Sequence, residues 1–112
     1  MDRNLQMLGI ARKAGMLAIG SEDVAAAARS RKAKAILTAS DASESARRRA
    51  ARDSEFCGAT HTVLPYTKYQ LGNITGRGSP GTLAILDAGL AARFLEGLTQ
   101  EQQPHTLKGM IR

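Results

Sequence analysis

The sequence holds no tryptophan and only 4% aromatic residues, which excludes a core built on large rings. With 43% apolar residues a core is still expected, and it must be aliphatic, made of Leu, Ile, Val and many small Ala that let helices approach a flat surface closely. A single cysteine, Cys57, excludes an internal disulfide and points to a reducing compartment, with the cytoplasm as the expected location. Two histidines and one cysteine without ligand spacing speak against a zinc site, and neither a metal nor another cofactor is expected. No run approaches the roughly 18 apolar residues of a membrane span, and the first twenty residues lack the apolar stretch and cleavage site of a secretory signal.

Acidic residues are also scarce. Ten Asp and Glu face sixteen Lys and Arg, for a formal charge of +6 and a pI near 10.1. The imbalance is local: Arg3 to Arg77 carries 13 basic and 6 acidic residues, whereas Gly78 to Arg112 holds three of each. Such a field attracts a polyanion through counterion release, although a solvated basic surface that favours solubility has the same composition.

Apolar residues at helical spacing run from Leu5 to Ala14 and stop at Gly15, which suits a left-handed helix end. Met16 to Ile19 reads as a brief strand. Ser21 is placed to cap a second helix with Glu22 and Asp23 in its first turn, running through the alanines to about Arg31. Ala35 to Ala39 has the length of a buried strand, and Asp41 with Glu44 has capping-box spacing for a third helix ending at Gly58. Thr62 to Leu64 is a further strand, Thr67 with Gln70 caps a short fourth helix ending near Gly72 or Asn73, and Thr75 to Gly81 is a loop. Thr82 to Leu86 is the last strand. Asp87 then caps a helix whose apolar face is Leu90, Ala91, Phe94, Leu95 and Leu98. Strands alternating with helices predict a three-layer α/β/α sandwich with a short mixed central sheet. Residues 1–98 are expected to form the single domain, with 99–112 expected to be a flexible tail.

Catalytic patterns are weak. Gly76, Gly78 and Gly81 spell G-x-G-x-x-G, but a dinucleotide site needs a strand before the glycines and a helix after them, and the order here is helix, glycines, strand. Cys57 and His61 stand on either side of Gly58 with no carboxylate or amide to orient the histidine, so a buried helix-end cysteine and a surface histidine are expected. Ser40, Ser43 and Ser45 surround a helix start without a nucleophile pattern. The chain is expected not to be an enzyme. Glu44 with Arg48 and Arg49 with Asp53 are favourable four-residue pairs, so part of the Arg47 to Arg52 cluster is a salt-laced face. Arg29, Arg31, Lys32 and Lys34 form a second basic group.

Three stretches, Leu8 to Gly20 (LGIARKAGMLAIG), Ala33 to Ser43 (AKAILTASDAS) and Leu71 to Leu86 (LGNITGRGSPGTLAIL), together resemble the bacterial branch of the ribosomal L-seven-Ae / L-thirty-e family over about residues 3–98. The resemblance implies a compact sandwich that binds kink-turns, bent RNA elements built on tandem G·A pairs. It places a base-reading motif on Gly20, Ser21, Glu22 and Asp23, and a loop covering an extruded nucleotide on Gly76 to Gly81, including Arg77, Gly78, Ser79 and Pro80. Arg12, Lys13, Lys32, Lys34 and Arg77 would then anchor flanking phosphates. The implied partners are ribosomal or other structured RNA and the ribosome. The chain departs from the archaeal pattern in having Glu22 where that pattern has Asn, Asp23 where it has Glu, and Ala26 where it has Lys. An acid cannot donate to a base and repels phosphate. The departures therefore leave two alternatives: a different or weaker RNA target, or a protein-interaction module of the same fold that has lost kink-turn reading. Related folds also occur beside RNA-methyltransferase domains, which makes an enzyme's substrate-binding domain a third reading.

Overall fold

The structure, a computed structural model, describes residues 2–102, with side chains to residue 99. Its elements are α1 (Arg3–Lys13), β1 (Leu17–Ile19), α2 (Ser21–Arg29), β2 (Ala35–Thr38), α3 (Glu44–Cys57), β3 (Thr60–Val63), α4 (Lys68–Thr75), β4 (Thr82–Ile85) and α5 (Ala88–Gln102). The four strands lie in the order β1-β4-β2-β3. β4 is antiparallel to both β1 and β2, whereas β2 and β3 run parallel, so the sheet is mixed.

Alternation along the strands builds the layers. Leu37, Leu83 and Ile85 face α1, α4 and α5, where they pack with Leu8, Leu64, Leu71, Leu90, Phe94 and Leu98. Ile36 and Ala84 face α2 and α3, against Val24, Ala27, Ala28 and Ala50. The result is the expected three-layer α/β/α sandwich. Its two halves differ in kind: large side chains fill one, and small ones let α2 and α3 lie close to the sheet in the other. The central strands β2 and β4 are buried along their whole length, which explains why they read as unbroken apolar runs.

Local chemistry sets most boundaries. Asp2 caps α1, its Oδ1 accepting from Asn4 N at 2.8 Å and Leu5 N at 3.1 Å. Thr67 and Gln70 form the anticipated capping box, and Asp87 Oδ2 accepts from Leu90 N at 2.9 Å. Gly58, at φ 77°, ends α3 in the left-handed region.

Other boundaries correct the sequence reading. α3 is capped by Ser43, whose Oγ accepts from Ala46 N at 3.1 Å. Asp41 instead accepts from Lys68 N at 2.8 Å and so ties the β2–α3 turn to the start of α4. Helix α2 ends at Arg29 rather than Arg31, and α4 extends to Thr75, closing on Gly76 at φ 72°. Helix α5 continues through Thr99 to Gln102. The remainder of the expected tail, 103–112, lies outside the described residues.

Candidate functional site

One end of the sheet gathers the two segments singled out by the sequence. β1 delivers the chain to Gly20, whose N–H donates to Thr82 O at 2.9 Å, so the start of α2 sits beside the start of β4. Gly20 has φ 97° and ψ 154°, a backbone state that side-chain-bearing residues rarely adopt. Gly20 itself is the N-cap, and no side chain caps α2. Ser21 is thus the first helical residue and not the capping hydroxyl expected. The N–H groups of Ser21, Glu22 and Asp23 lack helical partners, as first-turn donors must, and no local side chain covers them. Every other described helix start has its capping side chain, on Asp2, Ser43, Thr67 or Asp87.

The second segment returns from α4 to β4 next to this open helix start. Arg77 Nη2 lies 3.8 Å from Asp23 Oδ2, with the two side chains 54% and 64% exposed. A pair this exposed contributes at most about 1 kcal/mol, but it fixes which two surfaces are neighbours. Gly76, Arg77, Gly78 and Ser79 are exposed, whereas Pro80 is buried. Pro80 is therefore corrected from a contact residue to one that shapes the loop. Gly78, at φ 47°, rests with its carbonyl against Gly72 of α4, leaving no space there for a Cβ. Downstream, Gly81 O accepts from Ala39 N at 2.9 Å.

Arg12 extends the same surface. A Cβ built on Gly76 would lie 3.9 Å from Arg12 Nη2, and the exposed Arg12 and Lys13 line a shallow groove of about 350 Å³ with Gln6, Gly9, Ile10 and Ile74. The sequence reading missed the apolar part of this groove. Ile10 is 63% exposed, because α1 buries the stripe of Asn4, Leu8 and Ala11, which a helical-wheel count from Leu8 distinguishes from Ile10.

Lys32 and Lys34 do not join this surface. Lys34 N donates to Ile85 O at 2.8 Å, at the opposite end of β4 from Thr82. The nine residues of α2 separate the two ends by about 13 Å. The structure thus brings together Arg12, Lys13, Gly20 to Asp23 and Gly76 to Ser79, and it moves Lys32 and Lys34 to the far pole.

His61 also departs from expectation. It is half-buried on the sheet face toward α2 and α3, with Nε2 3.1 Å from Thr38 Oγ1. Burial lowers its pKa from the ordinary 6.5. The unfolded chain then takes up this proton at a higher pH than the folded one, so the contribution of His61 to stability is complete above about pH 6.5 and declines as the pH falls below that value, until the folded imidazole is protonated as well. Denaturation midpoints measured between pH 7.5 and 5 should fall in the wild type and fall less in His61→Gln. Parallel curves would mean that His61 titrates alike in both states.

Among the described residues no helix is long and apolar enough to cross a membrane, and no group of three or more His, Cys, Asp or Glu is arranged to hold a metal ion.

No protein-family model matches the chain, and no curated protein matches it in sequence. Solved structures do share its fold. A protein of unknown function from Bacillus halodurans superposes with a TM-score of 0.80 at 20% identity, over 88% of this chain and 99% of that one. A 15.5 kDa RNA-binding protein of Giardia lamblia superposes with a TM-score of 0.67 at 14% identity, over 86% of this chain and 82% of that one.

Proposed function

We propose that this chain is an RNA-binding protein without chemistry of its own, of the L-seven-Ae type, that holds a bent, kink-turn-like RNA element against the start of α2 and the Gly76 to Ser79 loop. The observation that carries the reading is the uncapped first turn of α2 facing a glycine loop that presents Arg77. Free N–H groups at a helix start donate to phosphate or carbonyl oxygens, glycines allow close approach of a backbone, and Arg12 and Lys13 extend positive charge along the same surface. The fold shared with an RNA-binding protein of Giardia lamblia supports the same reading. A cytoplasmic, ribosome-associated role is part of the proposal, supported by the family resemblance and the lone cysteine.

Arg77 provides the direct test. In the free protein its charge is partly matched by Asp23, so phosphate binding exchanges one exposed partner for another. Arg77→Ala should weaken binding of a kink-turn RNA about fivefold at low salt, the scale of one exposed charge contact. The slope of log affinity against log salt should fall by about one unit. Unchanged affinity and slope in a filter-binding or anisotropy titration would remove Arg77 from the interface.

A second reading rests on Glu22 and Asp23, whose acids face the same surface and favour a basic protein partner over phosphate. Recovery of one defined protein on the immobilised chain, equal before and after nuclease treatment and lost in Glu22→Gln with Asp23→Asn, would favour that reading.

A further inference from the structure

The pole opposite the candidate site has its own construction. Helix α2 ends at Arg29 with Ser30 as its C-cap, and Arg31 follows at φ 58°, the only non-glycine residue with positive φ among those described. Glycine or asparagine adopts this conformation more readily, so the arginine side chain must contribute something that they would not. Its Nη1 donates to Phe56 O at 3.2 Å, meeting one of the open carbonyls at the end of α3, and its Cζ lies 5.0 Å from the centre of the Phe56 ring. The guanidinium thus fixes both the end of α3 and the ring. Phe56 nevertheless remains 55% exposed.

The other cations of the turn that carries Arg31 are free. Arg29, Lys32 and Lys34 are exposed and form no ion pair within the described residues. The segment 29–34 holds four basic residues and no acid. Asp53 and Glu55 on α3 reduce the local charge, and Arg52 beside them restores part of it. Capping α3 accounts for Arg31 alone. It does not account for a large ring left in solvent beside a turn that carries unpaired lysines.

We propose that this pole is a second RNA site, for a single-stranded segment, with a base stacked on Phe56 and phosphates on Lys32 and Lys34. An aromatic platform flanked by cations is the arrangement that binds unpaired nucleotides with little regard for sequence, because every base offers a π-face. Arg31 is a positioning residue that holds the ring. The site stands independently of the bent-RNA reading, and with both occupied one protein would hold two RNA segments at opposite ends of α2.

The test uses the full chain and a labelled, unstructured 12-nucleotide RNA followed by anisotropy at several salt concentrations. Wild type should bind; Phe56→Ala should weaken binding about fivefold or more, and Phe56→Tyr should restore it. Lys32→Ala with Lys34→Ala should lower the salt slope by about 1.4. Arg77→Ala should leave this RNA unaffected, and Phe56→Ala should leave kink-turn binding unaffected, so the two sites succeed or fail separately. Circular dichroism of each exposed-residue variant checks that the fold persists. Absence of binding by wild type, wild-type binding by the Phe56 and lysine variants, or loss caused by Arg77→Ala would overturn the second site.

Discussion

Gly72→Ala should lower stability by about 2–3 kcal/mol, the upper part of the roughly 1–3 kcal/mol range for forcing an extra methyl into a filled space, and should weaken RNA binding at the same time. Gly72 is buried in α4 and carries the returning loop directly on its backbone. An added Cβ would overlap the carbonyl of Gly78 and approach Ser79 Cα to 3.4 Å. Backbone cannot rotate aside as a side-chain tip can, so the loop must lift from the helix. Arg77 would be carried away from Asp23 with it. For a domain of this size the loss corresponds to a fall of roughly 10–20 °C in Tm. Gly81→Ala provides the contrast, because its Cβ would meet Ala42 Cβ and Lys68 Cδ at an ordinary 3.7 Å. Its stability and RNA affinity should stay within about 0.5 kcal/mol of wild type. Thermal melts and titrations of both variants check this; equal behaviour of the two would show that the loop does not depend on Gly72.

Glu22→Asn should act in the opposite direction on binding, strengthening kink-turn affinity by about tenfold, within the 1 to 3 kcal/mol of one well-placed base contact. The substitution removes an exposed carboxylate from the first turn of α2 and supplies an amide that both donates and accepts. Stability should meanwhile drop by about 0.3–1 kcal/mol, because Glu22 interacts favourably with the positive end of the helix dipole. A gain in affinity accompanied by a loss in stability is hard to produce by a general change in folding. The same RNA titrated against both proteins, with denaturant melts alongside, separates the two effects. Unaltered affinity would place Glu22 outside the interface.

Much of the architecture was legible because it is local. Gly58 and the Thr67–Gln70 box mark helix ends through chemistry confined to one turn, and the periodicity of Leu90, Ala91, Phe94 and Leu98 identifies the buried face of α5 without reference to any partner. The three layers followed from alternating elements. The strand order did not, since short buried strands such as Ala35–Thr38 and Thr82–Ile85 carry no signal for which neighbour each pairs with. Errors arose where tertiary contacts compete with local ones. Asp41 has the spacing of a cap but serves Lys68 of α4, and Ser21 has a capping hydroxyl where Gly20 already supplies the turn.

The candidate site divides in the same way. Gly20 to Asp23 and Gly76 to Ser79 could be named from the chain, but their contact through Arg77 and Asp23 depends on how β4 lies beside β1. Lys32 and Lys34 carry the right charge to anchor flanking phosphates, but charge says nothing of where they lie. The rise of an α-helix carries them to the other end of the sheet, where with Arg31 and Phe56 they form a different surface. His61, expected at the surface beside a helix-ending glycine, was drawn in by β3 pairing with β2.

The measurement that bears most directly on the account is a titration of the purified protein against a short labelled kink-turn RNA and a straight duplex of equal length, repeated at several salt concentrations. The account predicts tighter binding to the kink-turn and a preference that survives moderate salt, because shape and backbone contacts at the start of α2 add to the counterion term. Equal affinities that fall steeply together with salt, or no binding to either, would contradict it.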